Sequence, residues 1–456
     1  MTKPLQLRFD AGTLLIDGLA ATDSAPPGFL WDARVGRFRA PAHRYRDAVS
    51  DFTQREVTFD DRARAYATLK LQHRATREAF AHQREAVDAW EAAGKRGVVV
   101  LPTGSGKSYV AELAIARANR STLVVAPTLD LMAQWYDLLA TAFGVEIGLL
   151  GGGYFELRDL TVATYDSAHL KMDQLGARFG LLVFDECHHL PSPAYLNAAD
   201  ACIAPFRLGL TATLDRADGR EALLDDRVGK VVFERGIKDL AGEHLAEYET
   251  VRLQVQMGES EAARYREARE LYRAFLRAKG IRMSSPEGWG RFVMLSSQSR
   301  EGRRAFRAYR EQKAIALASE AKLSVLEGLL RQHAHDRVII FTSDNDTAYR
   351  VSRMFLLPTL THQTDIKERK ELLARFRDGT YPALVTSRVL NEGVDVPEAN
   401  VAVVLSGSGS VREHVQRLGR ILRRREGKRA TLYEVVTSGT NEQATSDRRR
   451  EHEAYR

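Results

Sequence analysis

Short apolar runs alternate with longer amphipathic stretches along most of this 456-residue chain. Between residues 75 and 236 the apolar runs read GVVVL, STLVVAP, DLTVATY, GLLVFDE and FRLGLTA. Runs of this length predict strands that are buried on both faces, and the helical stretches between them predict parallel pairing. The alternation pauses and then resumes near residue 318 with DRVIIFTS, YPALVTS, NVAVVLS and ATLYEVV. The pattern therefore predicts two α/β domains, each built on a parallel sheet that helices cover.

Two segments depart from this alternation. The N-terminal segment mixes short alternations such as LQLRFD and TLLIDGL with turn residues and a basic stretch, which predicts a small α+β domain. A later segment is rich in Arg, Glu and Ala and is broken at SSPEGWG, which predicts a helical insertion. We therefore expect an N-terminal domain over residues 1–70, a first α/β domain over 71–236, a helical insertion over 259–315, and a second α/β domain formed by 237–258 and 316–456.

Composition and charge narrow the class of protein. The formal net charge of +7 and the pI of about 9.3 favour a polyanionic partner. Cys187 and Cys202 are the two cysteines, too few for a disulfide framework, so we expect a reducing compartment. No apolar run reaches the length of a membrane span, and the N-terminal stretch lacks the apolar core of a signal peptide. We therefore expect a cytoplasmic protein that has no membrane as partner.

The stretch PTGSGKS, directly after the first apolar run of the first α/β domain, carries the clearest chemistry. Gly104 and Gly106 allow backbone N–H groups to face inward, and the start of the following helix adds donors and partial positive charge. Lys107 can reach the outer phosphates of a nucleotide, and Ser108 can ligate Mg²⁺. Leu101 stands where the strict pattern has its first glycine, so a glycine-rich turn with a solvated lysine is the rival interpretation. We expect an ATP-binding loop composed of Pro102, Thr103, Gly104, Ser105, Gly106, Lys107 and Ser108.

The run LLVFDECHHL delivers two carboxylates at the carboxyl end of a predicted strand, where open α/β sheets bind their ligands. Asp185 can hold hydrated Mg²⁺, and Glu186 can orient and deprotonate an attacking water. An isolated Asp-Glu pair is otherwise typical of a solvated turn. A zinc site at Cys187, His188 and His189 is the weaker alternative, because no second cluster stands at ligand spacing. We expect His188 to couple the nucleotide site to neighbouring loops.

These motifs resemble those of superfamily 2 helicases and follow the order found in that superfamily. DECHH resembles the D-E-x-H box, and FAHQREAV resembles the segment whose glutamine, here Gln83, reads adenine. Motifs Ia, Ib, III, IV, V and VI are resembled by APTLDLMAQW, TYDSAH, LTAT, IIFTSDN, TSRVLNEGVDVPEA and QRLGRILRR. The resemblance implies an α/β fold with two RecA-like parallel-sheet domains, as in P-loop NTPases, that close on ATP and Mg²⁺.

A narrower resemblance covers nearly the whole chain and is to the XPB family in its compact archaeal and bacterial form. It rests on HHLPSPAY, IAPFRLGLTATLDR, NEGVDVPEANVAVVLSGSGS and QRLGRILRR, and on FDAGTLLIDG and RFRAPAHRYRDAV in the N-terminal domain. The resemblance implies a damage-recognition domain, a thumb-like insertion, and an ATP-dependent 3′–5′ helicase for forked, distorted or duplex DNA. It also implies a structure-specific nuclease as partner, a monomer or hetero-complex, a nucleoid-associated prokaryotic location, and a role in nucleotide excision repair or a related DNA transaction.

The resemblance assigns further residues to the site. Arg420 and Arg423 share one helical face, and we expect them to act as arginine fingers rather than as nonspecific phosphate-backbone contacts. We expect Asp395 and Gln416 to contact the nucleotide or its arginines. The coupling residues are expected to be His188, Thr211 and Thr213, and the nucleic-acid contacts to be Thr128, Thr164, Arg216, Asp218, Thr342 and Thr386. For the four threonines among these contacts, a helix N-cap or turn role is the alternative.

One position departs from the XPB pattern. The family carries an Arg-Glu-Asp motif after motif III, and here the matching residues are Arg216, Ala217 and Asp218. The missing acidic residue favours a duplex translocase with weak strand separation, and an RNA-directed helicase and an ATP-switched scaffold are further alternatives. In the insertion, arginines alternate with glutamates, which is more typical of a solvated helix face than of a binding face. Trp289 stands between two glycines, and its residue type suits either a stacking surface or a tether to the core.

Overall fold

The chain folds as two compact units, residues 1–240 and residues 241–456. The computed structural model describes residues 5–74, 77–214, 219–242, 244–285, 287–387, 399–406 and 429–450. The first unit contains the N-terminal sheet and the first α/β domain, and the second contains the second α/β domain and the helical insertion. Among the described residues, no helix combines the length and the apolar character that crossing a membrane requires.

The N-terminal sheet is mostly antiparallel and has the strand order β3-β4-β2-β1-β5. Its elements are β1 Gln6–Asp10, β2 Thr13–Asp17, β3 Leu30–Asp32, β4 Arg37–Pro41, helix α1 Tyr45–Gln54 and β5 Asp60–Asp61. Leu14 and Ile16 of β2 pack in one core with Phe52 of α1. Gly12 lies so close to the first α/β domain that an added Cβ would be 2.8 Å from the Cβ of Ala201. The sheet therefore packs directly on that domain.

The first α/β domain is built on a sheet with the order β13-β6-β12-β11-β7-β10-β8-β9. Its strands are β6 Arg96–Val100, β7 Thr122–Ala126, β8 Ile147–Gly151, β9 Tyr154–Glu156, β10 Leu160–Thr164, β11 Leu181–Phe184, β12 Phe206–Thr211 and β13 Val231–Glu234. All pairs are parallel except the hairpin β8–β9. Every residue of β7, β10 and β11 is buried, as the uninterrupted apolar runs predict.

Helices cover this sheet and connect its strands. They are α2 Ala81–Ala92, α3 Lys107–Ala118, α4 Leu129–Phe143, α5 Tyr165–Leu175, α6 Leu196–Asp200, α7 Leu223–Arg227 and α8 Ile237–Leu240. Because β6, β7, β10, β11 and β12 are parallel, their carboxyl ends lie at one edge of the sheet. The predicted loop and the predicted carboxylates both follow strands at that edge.

The second unit repeats the design with a fully parallel sheet in the order β14-β19-β18-β15-β17-β16. The strands are β14 Glu247–Val255, β15 Val338–Phe341, β16 Thr359–Leu360, β17 Ala383–Thr386, β18 Val401–Val404 and β19 Arg429–Thr437. The helices are α12 Glu320–Gln332, α13 Asn345–Phe355, α14 Ile366–Asp378 and α15 Asn441–Arg450. Lys322 of α12 is fully buried, and its Nζ lies 2.6 Å from Glu442 of α15. This ion pair fixes the C-terminal helix to the domain.

The helical insertion consists of α9 Glu259–Ala278, α10 Gly288–Ser297 and α11 Arg300–Leu317. It has its own small core, in which Phe275, Ile281, Phe292 and Ala305 are buried. The break predicted at SSPEGWG begins after α9 and ends within the first turn of α10, which starts at Gly288. Two parallel-sheet domains, a small N-terminal domain and a helical insertion are thus observed, and the predicted fold class is confirmed.

Candidate nucleotide-binding site

The predicted phosphate loop joins the end of β6 to the start of α3. Gly104 and Gly106 have φ of +88° and +86°, backbone conformations that side chains with a Cβ rarely adopt. The Ser105 hydroxyl donates to the Pro102 carbonyl at 2.7 Å and tightens the turn. The hydroxyl oxygen of Thr103 is buried and has no hydrogen-bond partner among the described residues. The loop therefore presents polar groups and the N-terminus of α3, as an anion-binding cradle requires.

Two side chains of α2 hold this loop from behind. Gln83 Nε2 donates to the Ser105 carbonyl at 3.0 Å, and His82 Nε2 lies 3.0 Å from the same oxygen. Because a carbonyl accepts, this contact places a proton on His82 Nε2. A Cβ at Gly106 would lie 2.3 Å from Gln83 Nε2 and would require a residue with a side chain to adopt a φ of +86°, so a substitution there would displace the Gln83 amide and strain the backbone. The motif resemblance predicts that Gln83 contacts adenine, but it does not predict the hydrogen bond from Gln83 to the phosphate loop. The two residues of that bond are more than 20 positions apart in the chain.

Asp185 and Glu186 follow β11 at the same edge of the sheet. One Asp185 oxygen accepts from the Trp135 indole N–H at 2.8 Å, and the other accepts from the Glu186 backbone N–H at 3.0 Å. The backbone of Glu186 is left-handed, with φ of +47°. This conformation is uncommon for residues other than glycine and is found mainly at turns and functional sites. The sequence around Asp185 does not predict the hydrogen bond from Trp135 of α4. The one available indication is general: a buried indole N–H usually finds an acceptor.

The two carboxylates have opposite electrostatic surroundings. Burial, and then the neighbouring Glu186 carboxylate, raises the pKa of Asp185 to about 6. Burial would also raise the pKa of Glu186, but the charge of Lys107 and the hydrogen bond from His188 together lower it to about 2. Glu186 is therefore the anionic partner of Lys107, and Asp185 needs a further cation to favour its charged form. The difference between the two carboxylates is compatible with the predicted roles of Glu186 as base and Asp185 as cation ligand, which stay predictions.

A buried chain of polar contacts leads away from Glu186. His188 Nδ1 lies 3.3 Å from Glu186 Oε2 and 3.0 Å from the Thr211 hydroxyl at the end of β12. That hydroxyl donates to the Thr213 carbonyl at 2.7 Å, which leaves it free to accept from His188. The structure therefore brings together the three residues predicted to couple the site to its surroundings.

The residues present fit a magnesium nucleotide. The unpartnered Thr103 hydroxyl, the Gly106 cradle and the Asp185 carboxylate are the groups that such a ligand requires. Ser108 and Asp185 are the residues that would hold Mg²⁺, which neutralises charge on phosphate oxygens when bound. Mg²⁺ typically takes only one or two protein ligands, and the described part of the chain contains no cluster of His, Cys, Asp or Glu that could bind a metal by itself.

The four threonines predicted to contact nucleic acid have structural partners. Thr128 and Thr164 are the N-caps of α4 and α5, and their hydroxyls each accept a backbone N–H at 3.2 Å. Thr342 and Thr386 are fully buried, and the Thr342 hydroxyl donates to the Asp344 carbonyl at 3.0 Å. The alternative role in caps and turns is therefore observed. A nucleic-acid role stays a prediction, as do the roles of residues outside the described ranges: Arg216, Asp218, Asp395, Gln416, Arg420 and Arg423.

Two solved structures share the fold of this chain. The chain aligns over 82% of its length with 88% of S. cerevisiae Dbp5 bound to RNA and ADP BeF3, with a TM-score of 0.56 and 15% identity. It aligns over 80% of its length with 97% of the Pyrococcus furiosus Hef helicase domain, with a TM-score of 0.53 and 18% identity. At this identity the likeness concerns the fold, and it confirms two RecA-like domains.

Curated relatives are more similar in sequence. The chain is 39% identical to the DNA 3′-5′ translocase XPB2 of Sulfurisphaera tokodaii, over 95% of this chain and 98% of the relative. It is 32% identical to the DNA 3′-5′ helicase XPB of Kineococcus radiotolerans, over 79% of this chain, and to that of Mycobacterium tuberculosis, over 78%. The chain covers only 60% of the length of each of these two longer proteins.

The fold and the site define an ATP-hydrolysing enzyme of the helicase class. Three family descriptions match: the Xeroderma pigmentosum group B helicase damage recognition domain at residues 7–63, the type III restriction enzyme res subunit at 76–216, and the helicase conserved C-terminal domain at 321–425. The chain belongs to the XPB family of helicases and translocases, and the predicted family is confirmed.

Proposed function

We propose that this chain is an ATP-driven motor of 3′–5′ polarity that opens duplex DNA or moves along it. The observation that carries the proposal is the site in the first unit, where a phosphate loop is combined with Asp185 and the anionic Glu186. The proposal is further supported by 39% identity over 95% of the chain with a protein named a DNA 3′-5′ translocase.

In the proposed cycle, Lys107 binds the outer phosphates, and Ser108 and Asp185 would hold Mg²⁺. Glu186 orients the attacking water and accepts its proton, and its lowered pKa means that the carboxylate is ionised near neutral pH. Arg420 and Arg423, assisted by Asp395 and Gln416, would stabilise the charge that develops during transfer. Such arginine fingers contribute roughly 10³- to 10⁵-fold in rate.

ATP turnover measured side by side with single-stranded, duplex and forked DNA and with RNA tests this proposal. We expect DNA to raise turnover, and Lys107→Ala and Glu186→Gln each to abolish it. Lys70→Ala and Glu56→Gln, which change an exposed residue of the same type, serve as matched controls and should retain turnover. Stimulation by RNA alone would instead favour the RNA-directed helicase, and near-native turnover of Glu186→Gln would remove its role as base.

A duplex translocase with weak strand separation is the second candidate, and the alanine at position 217 favours it. A chain that translocates along duplex without opening it would act with a partner, and a structure-specific nuclease suits that role. Unwinding of a fork by the parent chain and by Ala217→Glu distinguishes the candidates. We expect the variant to unwind better at similar ATP turnover, and equal unwinding would contradict the inference from Ala217.

We further propose that the N-terminal domain senses distorted duplex and that the chain works in the prokaryotic cytoplasm on nucleoid DNA, as a monomer or in a hetero-complex. The match of residues 7–63 to a damage recognition domain supports the first part. Because this sheet packs on the first α/β domain at Gly12, its removal would expose that domain's surface. Binding of the full chain to duplexes with and without a mismatch bubble tests it, and equal affinity for both would refute it.

A further inference from the structure

A groove opens in the second unit between the helical insertion and the start of α13. It encloses a volume of about 600 Å³, within the range of about 300–1,000 Å³ that is typical of sites for small ligands. One wall carries the aromatic residues Trp289, Phe306 and Tyr309, and the opposite wall carries Asp346 and Arg350 of α13. Neither the ATP site nor the predicted nucleic-acid contacts include these side chains. The combination of rings and charges in one groove indicates a ligand with both an aromatic plane and a charged group.

Trp289 is the residue that gives the groove its open aromatic face. Its ring packs on Phe292 at a centroid distance of 5.8 Å and on Tyr309 at 5.3 Å. Phe292 is fully buried, whereas 45% of the Trp289 side chain surface is exposed. A side chain that served only to fix α10 would be covered like Phe292. Trp289 is therefore held firmly from one side and leaves ring surface available to a ligand on the other.

Positive charge lies along the aromatic wall. Arg307, Arg310 and Lys313 are three residues apart on α11, so they follow one side of the helix, and all are exposed. Arg310 pairs with Asp346 at 3.3 Å, but both side chains are mostly exposed, so the pair is weak and can open. Within the described parts of the chain, Arg307 and Lys313 have no ion-pair partner. These two cations are available to an anionic ligand.

The carboxylates at the groove are placed differently. Glu311 is turned to α9, where it pairs with Arg264 at 2.8 Å. Asp344 caps α13 by accepting the Thr347 backbone N–H at 2.9 Å, and it also accepts the Ser343 hydroxyl at 3.1 Å. A carboxylate held in this way repels phosphate, but it can accept a hydrogen bond from the exocyclic amino group of a base. The groove therefore presents Arg307 and Lys313 on one wall and the Asp344 acceptor on the other, where Arg350 donates to the Ala318 carbonyl at 2.8 Å.

We propose that this groove binds an unpaired nucleotide of a single DNA strand. The base stacks on Trp289, and the adjoining phosphates contact Arg307 and Lys313. Aromatic faces with flanking cations are the common means of binding single strands without reading sequence, because every base has a π-face. The inference rests on the proposed DNA-directed function and adds a site that distinguishes a single-stranded arm from intact duplex.

Affinity for a fork with single-stranded arms, compared with a blunt duplex of the same sequence, tests the proposal. Stacking of one base contributes about 5- to 140-fold in affinity. Trp289→Ala should weaken fork binding by a factor in this range and leave duplex binding unchanged, and Trp289→Phe should retain most of the affinity. Met294→Ala is the matched control, since Met294 is 53% exposed on the same helix and does not line the groove. Unchanged fork affinity, or equal losses on fork and duplex, would overturn the proposal.

Two further measurements test the groove without the Trp289→Ala variant, whose weaker binding could also result from a folding defect. In the unmodified protein, a fork whose arm carries 5-iodouracil should crosslink on irradiation to Trp289 or Tyr309, and crosslinks confined to other regions would overturn the proposal. The double change Arg307→Gln, Lys313→Gln should make the salt dependence of fork affinity less steep by about 0.7 per lost phosphate contact. The change Arg303→Gln, at an exposed α11 position outside the groove, should leave that slope unaltered.

Turnover of ATP on blunt duplex separates this inference from the proposed function. If duplex stimulates turnover in the parent chain and Trp289→Ala binds forks as tightly as the parent does, the groove proposal is wrong, but the proposed DNA-dependent ATPase function is not contradicted. If no DNA binds or stimulates the parent chain, both proposals fail together.

Discussion

Replacing Gln83 by alanine should weaken nucleotide binding through the phosphate loop, whatever base the nucleotide carries. Gln83 is buried, its Nε2 donates to the Ser105 carbonyl at 3.0 Å, and its Oε1 accepts from the Phe80 backbone N–H at 3.0 Å. Ser105 directly precedes Gly106, which is the N-cap of α3. The variant thus removes one of the two side-chain donors that hold this carbonyl, and leaves His82 as the other.

The size of the effect follows from these two hydrogen bonds. One intramolecular hydrogen bond contributes about 0.5–1.5 kcal/mol net, which corresponds to about 2- to 13-fold in affinity. The second bond closes the start of α2, and its loss should lower the free energy of unfolding by about 0.5–2 kcal/mol. The amide of Gln83 retains one hydrogen and one lone pair that could meet adenine. If Gln83 also reads the base, ATP should lose an additional factor that ligands without adenine do not lose.

Calorimetric titration with ATP, GTP and inorganic tripolyphosphate in the presence of Mg²⁺ measures both contributions. We expect the Gln83→Ala variant to bind GTP and tripolyphosphate about 2- to 13-fold more weakly than the parent chain does. Arg84→Ala changes the next, exposed residue of α2 and should bind all three ligands as the parent does. Unaltered affinity for tripolyphosphate in the Gln83 variant would refute the reasoning, because it would mean that the bond to Ser105 does not shape the loop.

Three other predictions concern stability, pH and coupling. Lys322→Met should lower the free energy of unfolding of the second unit by about 3–5 kcal/mol, because it leaves the buried Glu442 carboxylate without its cation, and adding Glu442→Leu should restore most of the loss. Urea unfolding followed by the fluorescence of Trp289, the single tryptophan after residue 240, would measure this, and a loss unaffected by the second change would contradict it. The pKa of Asp185 is raised to about 6, so protonation below that pH should remove a cation ligand. We therefore expect kcat/KM for ATP to fall below pH 6, and the midpoint of this fall to move to lower pH as the Mg²⁺ concentration is raised. If the midpoint of the pH profile does not change with the Mg²⁺ concentration, Asp185 is not a ligand of the cation. Thr211→Val removes the hydroxyl that His188 contacts at 3.0 Å. The rate of single-turnover ATP hydrolysis should fall by about 2- to 13-fold, while nucleotide affinity stays near that of the parent chain. An equal loss in affinity would indicate that the variant disturbs the whole site.

The central strands of both sheets were predictable from sequence, and the edge strands were not. β7, β10 and β11 are buried at every residue, so each appears in the sequence as an unbroken apolar run. At the sheet edges, Tyr154–Glu156 is exposed throughout and Val231–Glu234 is exposed at both ends. A strand that pairs on one side and faces water on the other needs no apolar run, so its sequence resembles a loop. Burial, and not strand formation itself, produced the signal.

The site was predictable where its residues are neighbours in the chain. The loop of Gly104 to Ser108 and the pair Asp185 and Glu186 each lie within one short stretch at a strand end, and the strand predicts the position. His82 and Trp135 support these groups from other elements, and their contacts depend on packing that no local pattern records. For Thr128 and Thr164 the local sequence was sufficient. Each stands at a predicted helix start, and a role as N-cap accounts for a threonine there.

Contacts at Glu186 connect the residue proposed as the base to elements outside its own turn. A left-handed backbone costs a residue with a Cβ roughly 1–2 kcal/mol, so the surroundings must hold Glu186 in place. The charge of Lys107 and the hydrogen bond from His188 stabilise its charged form. His188 is in turn held by the Thr211 hydroxyl at the end of β12, a different strand from the one that carries the base. A shift of that strand end would therefore withdraw His188 and raise the pKa of Glu186. Because the Leu101 N–H donates to the Thr211 carbonyl at 3.0 Å, the same shift would also reach the residue that leads into the phosphate loop. The end of β12 thus contacts both the segment that leads into the predicted nucleotide-binding loop and the histidine beside the proposed base, so a movement there would change nucleotide binding and hydrolysis together.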